Sequence, residues 1–273
     1  MAALLSEILV AADDLWPHSG AEEWDSTGLI SGDPRESVER VVLAVDAVAA
    51  TVDEAINANA QLLLVHHPLL MRGVTSISAD QYKGYVLSRL IRGNCALLSA
   101  HTNADVVDGG TSSALANALG IVDSEPITAA RNGNGGLGRV GDLMHPLTLE
   151  EFAARVADVL PKTVSGVRVA GDPAASVRRI AICGGAGDSL LSHPSVRSAD
   201  VYVTSDLRHH PASEAREQAL LTAGPALVDV SHWAAESLWL ENAAAQLTAR
   251  FPSLDIRVSE SRTDPWDFSV HNA

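Results

Sequence analysis

The stretch VVLAVDAVAATVDEAINANAQLLLVHH, residues 41–67, decides the fold class of the chain. Residues 41–46 and 61–67 are short apolar runs of the kind that forms buried strands. Residues 47–60, which separate them, carry apolar side chains at helical spacing. A strand, a helix and a second strand in this order predict an α/β architecture with a largely parallel sheet.

The same alternation continues through the rest of the chain. An amphipathic helix is predicted at the N-terminus, over residues 1–16. Further apolar runs predict strands at 94–101, 177–185, 199–205, 225–232 and 254–260. Helical patterns are found at 110–120, 186–196, 207–221 and 234–251. We therefore expect the whole chain to be α/β.

Three segments of the first half align, in the same order, with segments of the second half. The aligned pairs are 41–46 with 179–185, 62–68 with 200–206, and 96–105 with 226–236. The third pair places His101 on His232 and Asp105 on Glu236. We therefore predict an internal duplication, with a first α/β half at 1–125 and a second at 126–273. Ligands of open α/β sheets bind at the carboxyl ends of the strands, so equivalent strand ends are expected at a shared interface.

The boundary between the halves is predicted in a Gly-rich connection, residues 131–141, with no extra domain inserted there. The C-terminal residues 262–273 are expected to form an irregular tail that packs locally through Trp266 and Phe268. This C-terminal segment is also expected to pack back on the first half.

Composition places the chain among globular proteins and narrows its partners. Of the 273 residues, 47% are hydrophobic and 19% are charged, which excludes a disordered or fibrous chain. The formal net charge of −15 disfavours nucleic acid and anionic lipid as partners, because both attract basic surfaces. The chain has no run of 18 apolar residues, and its N-terminal stretch lacks the basic start of a signal peptide. We expect a cytoplasmic protein with no membrane partner, whose cysteines, Cys95 and Cys183, are buried thiols.

Histidines and carboxylates follow three of the predicted strands. His66 and His67 come directly after LLLV, and the proline that follows them ends that strand, so both rings can face one site. His232 and Glu236 are four residues apart at the start of a predicted helix, and therefore lie on one face of it. Asp105 follows a third strand. This pattern is typical of metal ligands.

The donor set of three imidazoles and two carboxylates suits divalent Zn, Mn, Fe or Co. It exceeds the three protein ligands of a single catalytic zinc, so it predicts two divalent ions per subunit with a bridging carboxylate. Each motif alone has a structural alternative: a His pair in a turn, an i,i+4 surface pair, or a helix cap by Thr102 or Asn103. Three such motifs, each at the end of an apolar strand, favour a metal site.

Seven motifs follow one another along nearly the whole chain. They are WDSTGLISGDP (24–34), LLLVHHPLL (62–70), SAHTNADVVDGG (99–110), GLGRVGDL (136–143), ICGGAGDSLL (182–191), ADVYVTSDLRHH (199–210) and LVDVSHWAAE (227–236). In this order they resemble the motifs of the NIF-three-like family, whose members are also labelled type 2 homologs of GTP cyclohydrolase I.

The resemblance implies two similar duplicated α/β domains with a dinuclear metal site in the cleft between them. It implies homohexamers, built as trimers of dimers, in which the sites face an internal cavity. It also implies the metal ligands His66, His67, Asp105, His232 and Glu236, which all have ligand-competent side chains here. The sequence departs from the family pattern at Ser26-Thr27, Ala104 and Ser205, and none of these is a ligand position.

The resemblance further implies a metal-dependent hydrolase that acts through metal-activated water. Two dications against two carboxylates leave a positive pocket, which favours a nucleotide-like or phosphorylated small molecule. The family label suggests opening of the guanine imidazole ring of GTP. The alternative is a protein without enzymatic activity, serving as a metal-binding hexameric scaffold, a metal-handling protein or a regulator.

Three further candidates have both a functional and a structural interpretation. His101 is expected either to support the metal site or contact substrate, or to be a structural histidine at a strand end. His209 and His210 either line the same cavity or begin a solvated helix. The stretch CGGAG, residues 183–187, either binds an anion through its amides or forms a tight turn from strand to helix.

Overall fold

The computed structural model describes residues 2–130, 133 and 135–270, which fall into two compact units. The first unit comprises the described residues up to Val107 together with Leu240–Thr263. The second comprises Asp108–Trp239 together with the described residues from Asp264 onwards. These bounds differ from the predicted halves, because the residues just after Val107 pack with the second unit. The duplication itself stays a prediction.

The first unit contains a five-stranded sheet with helices. Its strands, numbered along the chain, are β1 (Ala3–Leu4), β2 (Gly28–Ser31), β3 (Ser37–Val38), β4 (Arg40–Ala44), β5 (Leu62–Val65), β6 (Ala96–Ser99) and β15 (Asp255–Val258). Its helices are α1 (Leu5–Leu15), α2 (Ala49–Asn57), α3 (Tyr82–Arg92) and α4 (Thr102–Asp105), with a 3₁₀ turn at His18–Gly20. The sheet order is β15-β4-β5-β6-β2, parallel except for β2, while β1 and β3 form a separate antiparallel pair.

The second unit contains a six-stranded mixed sheet and a separate two-stranded antiparallel pair formed by residues 128–129 and 136–137. Its strands are β7 (Ile121–Glu125), β8 (Thr128–Ala129), β9 (Gly136–Leu137), β10 (Arg139–Thr148), β11 (Arg168–Ala170), β12 (Ser176–Ala186), β13 (Val201–Ser205) and β14 (Ala226–Val230). Its helices are α5 (Thr111–Ala118), α6 (Leu149–Val159), α7 (Pro194–Arg197) and α8 (His209–Leu221), with a 3₁₀ turn at Asp188–Leu190. The sheet order is β11-β14-β13-β12-β10-β7, and only β12, β13 and β14 are mutually parallel. The last helix, α9 (His232–Arg250), has its first eight residues in this unit and the others in the first.

The central strands form where the sequence is most apolar. Every residue of β5 and β6 is buried, as expected of parallel strands covered on both faces. In the first unit, Val52 and Ala55 of α2 and Val86 and Leu90 of α3 pack with these strands in one apolar core. The α/β prediction is confirmed, and the predicted parallel order holds for the central strands of each sheet.

The long strand β10 corrects the predicted Gly-rich connection. Residues 131, 132 and 134 of that connection lie outside the described residues, but from Arg139 the chain pairs with both β12 and β7. A Cβ at Gly141 would lie 2.7 Å from the Val122 carbonyl oxygen. Glycine here therefore permits the close approach of a neighbouring strand, and does not mark a loop.

The C-terminal tail is irregular over its described part, but its predicted local packing through Trp266 and Phe268 is not found, and its packing back on the first half stays a prediction. The side chains of Trp266 and Phe268 are 63% and 80% exposed, so these rings do not anchor the tail. Residues 271–273 of the predicted tail lie outside the described residues. Among the described residues, none of the helices has the length and apolar character needed to cross a membrane.

Candidate metal centre

Three neighbouring strands of the first unit end at one edge of its sheet. The last residues of these strands, Ala44, Val65 and Ser99, are aligned partners in the register of β4, β5 and β6. The chain segments that follow them carry Asp46, His66-His67 and His101, respectively. Polar side chains that are far apart in sequence are thereby brought together, as expected at the carboxyl ends of parallel strands.

The three histidines form a cluster. One ring nitrogen of each of His66, His67 and His101 lies within 4.8 Å of the corresponding nitrogens of the other two. The ring centroids are 5.0 Å apart for His66 and His67, 5.1 Å for His66 and His101, and 5.5 Å for His67 and His101. Three converging imidazoles are a suitable donor set for a borderline divalent ion.

Hydrogen bonds fix which ring nitrogen of each histidine carries the proton. The Nδ1 atom of His66 lies 2.8 Å from the Ala100 carbonyl oxygen, and that of His67 lies 2.7 Å from Asp46 Oδ1. The Nδ1 atom of His101 lies 2.9 Å from Asp25 Oδ1. Because these oxygens can only accept, each Nδ1 donates, and the neutral ring then has its lone pair on Nε2. Metal-ligating histidines characteristically have this arrangement.

Asp25, which supports His101, is itself held by several donors. Its Oδ1 atom accepts from His101 Nδ1 and from the Ser26 amide at 2.7 Å. Its Oδ2 atom accepts from the Thr102 amide at 3.0 Å and from the Thr102 hydroxyl. Burial of this side chain opposes ionisation, but the hydrogen bonds from His101 and Thr102 outweigh it and hold the pKa of Asp25 well below its ordinary value.

Asp105 approaches the cluster from the short helix α4. The amides of Ala104 and Asp105 both donate to the His101 carbonyl oxygen, which places Asp105 one turn after His101. The Asp105 side chain is mostly buried, and its Oδ1 atom lies 3.6 Å from His66 Nε2. A metal ion bound at His66 Nε2 would lie close to this carboxylate. A carboxylate oxygen is a second type of ligand that divalent ions accept beside imidazole.

The second unit carries the other two predicted ligands at the ends of its own parallel strands. His232 and Glu236 lie in the first turns of α9, which follows β14, and His232 Nε2 is 2.9 Å from Glu236 Oε1. Asp206 directly follows β13, and its Oδ2 atom accepts from His232 Nδ1 at 2.7 Å. The backbone of Asp206 adopts a left-handed conformation, with φ of 58°, which is uncommon for any residue but glycine. His232 is thus supported at Nδ1 in the same way as His67 and His101.

Gly185, near the end of β12, leaves room for these ligands. A Cβ at this position would lie 2.5 Å from Glu236 Oε1 and 3.3 Å from His232 Nε2, and the residue has φ of 76°. The strand continues to Ala186 and the 3₁₀ turn begins at Asp188, so the chain passes from strand to helical turn at Gly187, the last residue of the stretch 183–187. Gly185 provides space for the side chains of His232 and Glu236, and no amide cradle for an anion is needed to explain it.

A family model described as Duf34/NIF3 (NGG1p interacting factor 3) matches residues 3–265 of the chain. The chain belongs to the Duf34/NIF3 family. A relative in Streptomyces coelicolor named GTP cyclohydrolase 1 type 2 homolog is 48% identical over 276 residues, covering 98% of this chain and 95% of the relative. The resemblance drawn from the seven motifs is thereby confirmed.

Two crystal structures show the same Duf34/NIF3 fold. Staphylococcus aureus hypothetical protein SA1388 matches with a TM-score of 0.88 and 28% identity, covering 97% of this chain and 99% of that one. A Bacillus cereus protein related to NIF3 also matches with a TM-score of 0.88, at 24% identity, covering 98% of this chain and 99% of that one. The mixed α/β fold predicted from the sequence agrees with both.

The remaining histidine pair of this Duf34/NIF3 chain lies at the start of α8. His209 and His210 are both exposed, and their ring centroids are 5.2 Å apart. Their surroundings agree with a solvated helix start, and a role in lining a cavity stays a prediction.

The carboxylates that orient the histidines are not among the residues predicted from the sequence. Asp46 lies two residues after the end of β4, and Asp206 directly follows β13. A carboxylate at the end of an apolar strand can be recognised in the sequence, so both residues could have been predicted as site residues. Asp25 lies in an early loop far from the histidines in sequence, so only the folded chain shows its role.

Proposed function

We propose that this Duf34/NIF3 chain is a metal-dependent hydrolase with a dinuclear divalent-metal site. The proposed substrate is a nucleotide-like or phosphorylated small molecule. The proposed ligands are the five residues predicted from the sequence: His66, His67, Asp105, His232 and Glu236. In this proposal the two donor sets join in one site in the cleft between two similar domains.

The orientation of the histidines is the observation that carries the proposal. His66 and His67 each donate Nδ1–H to an oxygen acceptor, which leaves the lone pair of the neutral ring on Nε2, the atom that a divalent ion requires. His232 donates Nδ1–H to Asp206 in the same way, and its Nε2, which faces Glu236 Oε1, would bind an ion in place of a proton. Two of these acceptors are carboxylates, which also raise the basicity of the ring. Histidines that only fill space in a core do not need matched acceptors on the same ring atom.

The donor set fits the chemistry that a hydrolase needs. When bound, divalent ions lower the pKa of a coordinated water towards 7 and thereby supply a nucleophile at neutral pH. Asp105 and Glu236 contribute the negative charges that offset the ions, and Glu236 is almost completely buried. His101 is placed to donate or accept a hydrogen bond at the edge of the cluster, and Asp25 holds its ring in place.

The substrate class follows from charge and from the names of the relatives. The two proposed ligand carboxylates offset only half of the charge of two dications, so the ions themselves attract an anionic group of the ligand, while Asp25, Asp46 and Asp206 add negative charge behind the histidines. The relative in Streptomyces coelicolor carries the name GTP cyclohydrolase 1 type 2 homolog, which supports a purine nucleotide as the first substrate to test. We also propose that the chain assembles as a homohexamer, a trimer of dimers, with its sites facing an internal cavity.

Metal content and nucleotide turnover, measured on the same samples, test this function. We expect protein purified without chelators to contain two divalent ions per chain and to open the imidazole ring of GTP, followed by mass spectrometry. His67→Ala and Glu236→Gln should lose metal and turnover together, while His145→Ala, a change at an exposed histidine of β10, should lose neither. A folded chain that holds two ions but turns over no nucleotide or phosphate ester would favour the scaffold or metal-handling alternative.

A further inference from the structure

An exposed tryptophan lies beside the histidine cluster. The ring centroid of Trp24 is 5.9 Å from that of His101, with the two ring planes at 77°. Trp24 is 58% exposed, whereas Trp16 and Trp239 are fully buried. Other aromatic rings of the chain are exposed as well, such as Trp266 at 63%, but Trp24 lies against a histidine of the candidate metal centre, where an exposed indole face is available to a ligand.

The loop that carries Trp24 is fixed on both sides of the ring. Asp25 accepts hydrogen bonds from the side chain of His101 and from the amide and hydroxyl of Thr102. On the other side, the Glu22 amide donates to Thr102 Oγ1 at 3.0 Å, and the Asp25 amide donates to the Glu22 carbonyl oxygen at 3.0 Å. These hydrogen bonds order the loop in the folded chain without a ligand. Binding of a ligand at the Trp24 ring therefore does not lose free energy to the ordering of this loop.

The charges around Trp24 indicate which part of a ligand can bind there. Its neighbours in sequence are Glu22, Glu23 and Asp25, so this loop repels phosphate and other anionic groups. An indole face attracts planar heteroaromatic rings, and stacking of this kind tolerates different bases. The ring of a nucleotide-like ligand is thus favoured at Trp24, beside the histidine cluster, and its phosphates are favoured away from this acidic loop.

We propose that Trp24 is a specificity-determining residue that stacks on a planar heteroaromatic ring of the ligand. This inference rests on the proposed function, because it assigns the ring-bearing end of the ligand to the same site. It narrows the ligand class from any phosphorylated small molecule to one that carries such a ring.

Binding of matched probes to the full chain, loaded with Mn²⁺, tests the role of Trp24. The probes are GTP, ATP and UTP, which carry a base, and inorganic tripolyphosphate, which has the charged chain alone. Stacking is worth about 1–3 kcal/mol per base, so Trp24→Leu should weaken nucleotide binding about 5- to 150-fold in calorimetric titrations. Binding of tripolyphosphate should not change, and Trp24→Phe should keep most of the nucleotide affinity. Trp266→Leu, a change at another exposed tryptophan, is the matched control and should bind all four probes as the unaltered chain does.

Three results would overturn the inference: no nucleotide binds more tightly than tripolyphosphate, Trp24→Leu leaves nucleotide binding unchanged, or Trp24→Leu weakens all four probes equally. Metal content, measured on the same samples, reports on the proposed function separately. A chain that takes up no Mn²⁺ contradicts the metal site, whereas a metal-loaded chain without ring-dependent binding contradicts only the role of Trp24.

Discussion

At the scale of single residues, Gly185 shows how closely the backbone approaches Glu236, a proposed metal ligand. Gly185→Ala would place a methyl group 2.5 Å from Glu236 Oε1, and alanine is disfavoured at φ of 76°. We expect this variant to lose about 1–2 kcal/mol of unfolding free energy from the backbone term alone. We also expect a loss of about 10- to 100-fold in metal affinity, because Glu236 has to move from its position.

Gly166→Ala is the matched control for this prediction. Gly166 also has a positive φ, of 58°, but an added Cβ would meet no other atom within 4 Å. Its alanine variant should therefore lose similar stability in urea unfolding, yet bind metal with unchanged affinity in chelator competition. Equal metal affinity in the Gly185 and Gly166 variants would show that Glu236 is not a ligand.

The site residues divide into those that sequence patterns reveal and those that only folding reveals. His66, His67, His232 and Glu236 were predicted because each follows a strand at a recognisable spacing. Asp25 could not be predicted, because its bond to His101 joins residues 76 positions apart and depends on where the loop folds. Local patterns identify candidate ligands, whereas the groups that orient those side chains are set by tertiary contacts.

At the scale of elements, Glu54 of α2 fastens the segment that follows β15. Its carboxylate accepts from the hydroxyls of Ser259 and Ser261, both at 2.6 Å, and from the Glu260 amide at 3.2 Å. Burial raises the pKa of Glu54, but these hydrogen bonds outweigh it and leave the pKa below its ordinary value. A carboxylate of this kind stabilises the fold above its unfolded pKa, and the stabilisation is lost as pH falls through its folded pKa.

Glu54→Gln should therefore lower stability at pH 7 but not in acid. We expect a loss of about 1–2 kcal/mol at pH 7 from the weaker hydrogen bonds of a neutral amide. The difference from the unaltered chain should begin to shrink near the unfolded pKa of about 4.3 and vanish below the folded pKa. Urea unfolding of both proteins from pH 7 to pH 3 measures this, and a difference independent of pH would mean that the charge of Glu54 has no part in the contact.

The elements themselves were predictable where one physical signal dominated. Apolar runs located β4, β5, β6, β13 and β14, because buried parallel strands are apolar throughout. The strand β10 was missed because Gly141, near its start, ends a Gly-rich stretch that resembles a loop, although in the folded chain this glycine allows a neighbouring strand to approach. A glycine can indicate either a loop or a close approach between strands. Which of the two applies depends on the neighbouring strand in the folded chain, and the local sequence does not contain that information.

At the scale of the whole molecule, the predicted ligands are divided between the two compact units. His67 belongs to the first unit and Glu236 to the second, and each lies beside a similar set of strand ends. The proposed dinuclear site requires that ligands from both units bind the same ions. Two independent sites, one in each unit, would bind metal without such coupling.

A double-mutant cycle on metal affinity separates these two arrangements. If His67 and Glu236 hold the same ions, the changes in binding free energy for His67→Ala and Glu236→Gln should fail to add by about 0.5–3 kcal/mol in the double variant. His67→Ala combined with His145→Ala should be additive, because the exposed His145 is not a proposed ligand. Chelator competition gives each affinity, and the ion count per chain shows which ion is lost. Additivity within about 0.5 kcal/mol for the His67 and Glu236 pair would mean that each unit binds its own ion, since residues that share a ligand are coupled through it.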